Sequence, residues 1–301
     1  MVFNMEHSHA DAPMHSRMIE YMKQVVTKEI VEEFANEGVA NVQSDQSTVM
    51  ALRFGNDIDL GRNVRERLFK ADAFTTTLLN NHCLKLLDYK TFGKVLLKSL
   101  KTSPDSFIQC VLQLSFYRDQ SRFTSTYETG TTRAFHHGRT ETIRSLTSES
   151  RELCLAMEDR SSTDAKRYAL LRKALKSHSN YLRKSCQGMG IDRHLLGLRM
   201  TAAGNNIPMP SIFTDSSYTL MNTFELSTSS MAVTHYEDYL GFGAPSPTSY
   251  GCCYCMTSDC LKMVISGNSL CTEKNVNRFH NHIEQAMIDL VQVLQSGVSK
   301  V

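Results

Sequence analysis

Tyr250–Gln295 reads YGCCYCMTSDCLKMVISGNSLCTEKNVNRFHNHIEQAMIDLVQVLQ, and this stretch decides the fold class. Residues 250–256 and 261–266 mix aromatic, β-branched and small residues and end at turn formers, so they read as two strands. Residues 275–296 then carry a long helical pattern. Working back along the chain, shorter segments near 125–129 and 222–228 also read as strands, and helices fit 13–34, 63–87, 146–158 and 163–187. Ser103-Pro104-Asp105 opens a further helix whose apolar face includes Phe107, Ile108, Val111, Leu112 and Leu114. Long helices interleaved with few strands predict an α/β layer architecture. Residues 37–61 lose the helical period and read as a loop or short-strand segment, the first candidate for a domain boundary.

Composition removes several classes. The 301 residues are 41% hydrophobic and 21% charged, which excludes a disordered or collagen-like chain. No run approaches the roughly 18 apolar residues of a membrane-spanning helix, and the first residues lack a secretory pattern, so a soluble, intracellular chain is expected. Lys plus Arg at 33 against Asp plus Glu at 31 leaves a net charge of +2, too little for a polyanion binder, so no nucleic-acid partner is expected. Nine scattered cysteines fit a reducing compartment better than a disulfide framework.

Several segments could carry chemistry. Glu6-His7-Ser8-His9-Ala10-Asp11 sets His7 four residues ahead of a carboxylate just before the first helix, a usual way to hold a general base in one tautomer. The same histidines also read as solvent-exposed groups near a chain end, or as zinc ligands. Cys253 and Cys255 lie one residue apart on a strand, which suits buried free thiols better than a metal site. Lys94, Lys98 and Lys101 precede the helix opened by Ser103, where the dipole favours an anion, and they equally describe a solvated basic turn. Tyr127–Ser145 holds five hydroxyl-bearing threonine and serine residues after Thr129, with Arg133, Arg139 and Arg144 and little aliphatic content, unlike a plain core element. Ser227-Thr228-Ser229-Ser230 ends a strand with hydroxyl donors able to meet an oxyanion.

Taken in order, these segments resemble the carnitine/choline acyltransferase family along nearly the whole chain. The resemblance rests on Glu6-His7-Ser8-x-Ala10-Asp11-Ala12-Pro13, Ser103-Pro104-Asp105-x-Phe107-Ile108-Gln109, Tyr127-Glu128, Arg133-x-Phe135-x-x-Gly138-Arg139-Thr140-Glu141-Thr142-Ile143-Arg144-Ser145, Asp192–Leu198 and Ser227-Thr228-Ser229. It implies a mixed sheet flanked by helices, of the CoA-dependent acyltransferase kind, and reversible acyl transfer between CoA and the carnitine hydroxyl. His7 would be the general base, Asp11 would orient it, and Ser229 would donate a hydrogen bond near the reacting oxygen. Lys94 and Lys98 would meet the CoA phosphates, with Ser99, Leu100, Lys101, Thr102, Ser103, Pro104 and Asp105 lining the rest of that nucleotide. Tyr127, Thr140 and Arg193 match the family's carboxylate-binding trio, with Thr129 and Ser227 beside the same ligand, and Phe242 would face the trimethylammonium. A carboxylate site favours carnitine over choline. CoA or acyl-CoA is then a cosubstrate, with no permanently bound cofactor and no metal, in a monomeric enzyme of the mitochondrion or peroxisome.

The sequence also departs from the family. Ser230 replaces the usual glutamine, and Pro247–Gly251 lacks an Asp-Gly pair. Leu240 stands where long-chain enzymes carry glycine, which predicts a short- or medium-chain preference. Family members run to about twice this length. Residues 1–48 are therefore expected to be the tail of a first domain and 49–301 a second, CoA- and carnitine-binding domain. A truncated, non-catalytic remnant that binds ligand is the alternative reading.

Overall fold

The computed structural model describes residues 7, 11–37, 61–231, 239–272 and 274–298. It divides into two compact units, Met1–Asn81 and His82–Val301. The boundary expected at 48/49 and most of the segment 37–61 lie outside the described residues. The first unit contains α1 (Ala12–Glu37) and α2 (Arg62–Asn80).

The second unit is built on a six-stranded mixed sheet. Its strands are β1 (His82–Tyr89), β2 (Thr126–Thr131), β3 (Thr140–Ile143), β4 (Leu226–Ser230), β5 (Tyr250–Met256) and β6 (Leu261–Asn268), arranged β1-β6-β5-β4-β2-β3. The central pairs β2–β4 and β4–β5 are parallel, and the outer pairs are antiparallel. Its helices are α3 (Lys94–Ser99), α4 (Pro104–Gln120), α5 (Ser148–Glu158), α6 (Asp164–Cys186), α7 (Asp192–Gly204), α8 (Ser216–Asn222) and α9 (Val276–Val298).

The core lies on one face of the sheet. Phe107, Ile108, Val111 and Leu112 of α4, Leu171 and Ala174 of α6, and Phe279, Ile283 and Met287 of α9 pack with Tyr250, Cys252, Tyr254 and Ile265 of the strands. Burying each large apolar side chain contributes about 1.5–3 kcal/mol. Helix α4 is the spine. Ser103 caps it by accepting from the Ser106 amide at 3.4 Å, Pro104 sits in its first turn, and Ser106–Phe116 are buried throughout. A helix buried on every side belongs inside the layer, and its polar side chains Ser106, Gln109 and Gln113 are hydrogen-bonded there.

The expected helix at 63–87 is corrected at its end. It stops at Asn80, and His82–Tyr89 forms β1, paired with β6 from His82↔Asn268 to Tyr89↔Leu261. Leu84 and Leu86 point away from the core at 64% and 52% exposure, while Leu87 and Tyr89 point into it. Their helical spacing is overridden by the ladder that the edge of β6 offers. The strand expected at 222–228 is likewise displaced: α8 runs to Asn222, capped by Asp215 accepting from the Ser217 amide at 2.7 Å, and the strand begins at Leu226. The hydroxyl-rich segment supplies β2 and, after a loop, its antiparallel partner β3. The other expected helices and strands form within a few residues of their predicted bounds, the helix opened by Ser103 running on to Gln120.

Candidate functional site

Alternation along the strands sorts the chemistry-bearing residues onto one side of the sheet. Side chains two apart share a face. On β2, Thr126 and Glu128 are buried towards the helices, while Tyr127 and Thr129 are half-buried on the other side. On β4, Thr228 is buried towards the helices, and Ser227 and Ser229 face the side of Tyr127. Tyr127, Ser227 and Gly251 pair in register across β2, β4 and β5, so they form one row. Phe242 closes the end of that row: a Cβ at Gly251 would lie 3.0 Å from the Phe242 ring and 2.4 Å from Ser266 Oγ, so a larger residue there would displace both side chains.

At the other end, Tyr127 and Arg193 line a cavity of about 460 Å³ with Thr142, Leu196, Tyr218 and Phe224. Arg193 reaches from the first turn of α7 back to β3, donating from Nε to the Thr140 carbonyl at 2.9 Å and from Nη2 to Thr140 Oγ1 at 3.2 Å. Its amide faces the Glu141 carboxylate, both oxygens at 3.3 Å. Thr140 therefore holds the guanidinium in a fixed orientation, and Tyr127 shares the cavity. Arg144 is engaged elsewhere: it bonds both oxygens of Asp192 at 3.1 and 2.7 Å and the Met221 carbonyl at 2.6 Å, which pins α7 and α8 beside the cavity. The Tyr127 ring meets Phe224 edge-on at 5.5 Å. The sequence reading missed Phe224 as a wall of this cavity, and no motif marks it.

The basic segment forms α3 and a tight turn. Gly93 is required there, because a Cβ would come within 2.5 Å of the Asp259 backbone nitrogen. The Lys94 and Val95 amides donate to the Thr257 and Ser258 carbonyls at 2.8 and 3.0 Å, so these two amides of α3 are already used. Lys94, Lys98 and Lys101 are exposed, the first two one helical turn apart, and Ser99 is exposed beside them. Leu100 caps α3, and Lys101 adopts a left-handed φ of 51°. Arg172 of α6 donates to the Lys101 carbonyl at 3.1 Å and to Thr102 Oγ1 at 3.2 Å. That arginine was not legible in the sequence, since it lies 71 residues from Lys101. Ser103, Pro104 and Asp105 follow as the start of α4.

Beneath the sheet runs a buried polar network. Thr228 Oγ1 donates to the Tyr127 carbonyl at 2.8 Å and accepts from Gln109 at 3.0 Å, while Tyr254 donates to Asp105 at 2.7 Å. Burial and the adjacent Asp105 push the Tyr254 hydroxyl well above its ordinary pKa, so it remains a donor. Glu128 Oε2 lies 2.7 Å from His178 Nε2 and also accepts from Ser145 Oγ. Burial alone would lower the His178 pKa, but the Glu128 charge and hydrogen bond, with Asp105, raise it overall. The strand cysteines are free thiols, Cys252 on the helix side and Cys253 and Cys255 opposite it, and burial pushes Cys253 up to about 12.

His7 and Asp11 belong to the first unit and Ser229 to the second. His7 Nδ1 lies 3.8 Å from Asp11 Oδ1, an i,i+4 pair with His7 exposed and Asp11 mostly covered, directly before α1. Expectations for Glu6, Ser8, His9 and Ala10 fall on residues outside those described.

This arrangement of motifs agrees with relationship by sequence. Residues 1–285 match the Choline/Carnitine o-acyltransferase family, and the chain belongs to it. It is 36% identical over 233 residues to carnitine O-acetyltransferase of Homo sapiens, covering 77% of this chain and 37% of that protein. It is 36% identical over 228 residues to choline O-acetyltransferase of Sus scrofa, covering 74% and 35%. With the liver isoform of carnitine O-palmitoyltransferase 1 of Homo sapiens it shares 31% over 305 aligned positions, covering 97% of this chain and 38% of that protein. The chain thus spans little more than a third of the length of these relatives. Among the described residues no helix is long and apolar enough to cross a membrane.

Proposed function

We propose that the protein to which this chain belongs is a carnitine O-acyltransferase, moving an acyl group reversibly between CoA and the carnitine hydroxyl. The observation that carries this reading is the guanidinium of Arg193, fixed by Thr140 in a cavity it shares with Tyr127, on the sheet face that also presents Ser227 and Ser229. A fixed cation with hydroxyl neighbours suits a carboxylate, which carnitine has and choline lacks. Phe242, at the far end of the row, offers a ring to the trimethylammonium, and such an attraction is worth about 0.5–2 kcal/mol. The division of residues 1–48 and 49–301 between two domains is part of the same reading.

In the proposed reaction His7, oriented by Asp11, takes the proton of the carnitine hydroxyl as its oxygen attacks the thioester carbonyl. Ser229 donates to the tetrahedral oxyanion. Collapse of that intermediate breaks the carbon–sulfur bond, and the imidazolium returns its proton to the departing CoA thiolate. The exposed Lys94, Lys98 and Lys101 supply cations for the CoA phosphates, along the turn that Arg172 holds. A short or medium acyl chain is favoured, because Leu240 stands where long-chain members of the family carry glycine; the space it lines with Met231, Cys253 and Cys255 is about 10 Å³. A monomer in the mitochondrion or peroxisome completes the proposal.

The test is thiol release by the full-length protein from a ladder of acyl-CoAs, with carnitine or choline as acceptor. Acetyl- or octanoyl-CoA with carnitine should be turned over fastest; preference for choline, or for palmitoyl-CoA, would reject the corresponding part. His7→Ala should lower turnover by about 10²–10⁴-fold while CoA still binds. Turnover near the parent rate would remove His7 from its role.

A further inference from the structure

The buried side of the sheet holds a histidine that the proposed chemistry leaves unused. His178 sits in the middle of α6, 3% exposed, with both ring nitrogens engaged: Nε2 lies 2.7 Å from Glu128 Oε2, and Nδ1 lies 2.9 Å from Ser106 Oγ. Ser106 Oγ is also 2.8 Å from Ser179 Oγ. One carboxylate oxygen of Asp105, one of Glu128 and a nitrogen of His178 all lie within 4.8 Å of one another. Both nitrogens are in hydrogen bonds, so Glu128, His178 and Ser106 form a continuous buried relay.

We propose that His178 is a positioning residue shared by both substrate sites, clamping the β2 segment that presents Tyr127 and Thr129 to the start of α4, directly after the turn that carries Lys101. The proposal rests on the acyltransferase reading above. Glu128 lies between Tyr127 and Thr129, and its side chain points the opposite way, so fixing its carboxylate fixes the backbone that aims both neighbours. Ser106 follows Asp105 in the first turn of α4, so the other ring nitrogen holds the acyl-CoA side in the same manner. A buried carboxyl–imidazole pair is a poor way to gain stability, since an apolar pair of similar volume serves as well or better. What it supplies is one geometry, and binding groups must be held to within about 0.5 Å to work.

The experiment measures Kd for CoA and for carnitine separately, by calorimetry on the full-length protein. It compares the parent with His178→Gln, Ser106→Ala and Leu175→Ala, the last removing buried packing from α6 one turn earlier. His178→Gln should weaken both ligands roughly fivefold or more. Ser106→Ala, which leaves the Glu128 contact in place, should weaken CoA more than carnitine, and it decides the matter if His178→Gln fails to fold. Leu175→Ala should lower Tm and leave both Kd values within about twofold. Parent-like affinities in the His178 and Ser106 variants, or equal weakening by Leu175→Ala, would overturn the positioning role alone. A parent protein that binds neither CoA nor carnitine would overturn the acyltransferase reading, and the relay with it.

Discussion

The two faces of β2 and β4 are made from alternate residues of the same two strands, yet they answer to different physics. Towards the helices, Thr126, Glu128 and Thr228 are at most 1% exposed, and every one is hydrogen-bonded: Thr126 to Gln113, Glu128 to His178, Thr228 to Gln109. An unpaired polar group there would cost about 1–3 kcal/mol, so this face is specified by satisfaction. On the other side Tyr127, Thr129, Ser227 and Ser229 are only half-buried. They can keep hydroxyls available because water meets them when no ligand does. A strand that alternates between these regimes lets one short sequence serve the core and the site together.

Substitutions on the two faces should therefore separate stability from ligand recognition. The largest effect is expected from Phe279→Ala, deep in the helical layer under Tyr250, whose ring it stacks on at 4.3 Å: a loss of about 3–5 kcal/mol by denaturant unfolding, with carnitine KM unchanged in whatever remains folded. A large KM change would mean the faces are not independent. Arg193→Asn comes next. It should raise carnitine KM by roughly 10- to 100-fold and relax discrimination against choline, at nearly constant Tm, because a charge-assisted hydrogen bond is worth about 1.5–3 kcal/mol. An unchanged KM would sever Arg193 from the ligand.

Thr228→Val tests the inward face more gently. It keeps the volume but leaves the Gln109 amide short of one acceptor and the Tyr127 carbonyl short of one donor, so a loss of about 1–3 kcal/mol in unfolding is expected. Ser227→Ala, one residue away and facing outward, should change stability by less than about 0.5 kcal/mol while carnitine KM rises a few-fold. If Ser227→Ala proved the more destabilising of the two, the division between the faces would fail.

Much of this was legible beforehand, for identifiable reasons. The N-cap and proline at Ser103-Pro104 placed the start of α4, and strands β5 and β6 announced themselves through local composition. The Arg193, Thr140 and Tyr127 set followed from motif resemblance, and tertiary folding brings Arg193 onto Thr140 across 53 residues. What stayed hidden involved partners remote in sequence. Leu84 and Leu86 looked like a helix continuing, until β6, almost two hundred residues on, supplied the ladder. His178 and Arg172 carry no local signature, because each matters only through a contact at 50 residues or more, to Glu128 and to the turn before α4.

The sequence by itself determined the family and the α/β class, and by resemblance it nominated groups for a carboxylate, a phosphate and an acyl oxyanion. These depend on local propensity, strand period and residue chemistry, all of which are written within a few residues of one another. Only the tertiary structure decided which of those groups share a face, that Thr140 orients Arg193, and that a buried Glu128–His178–Ser106 chain lies under the strand that presents Tyr127. Those outcomes depend on strand register and helix packing between distant segments, where long-range burial outweighs any local preference.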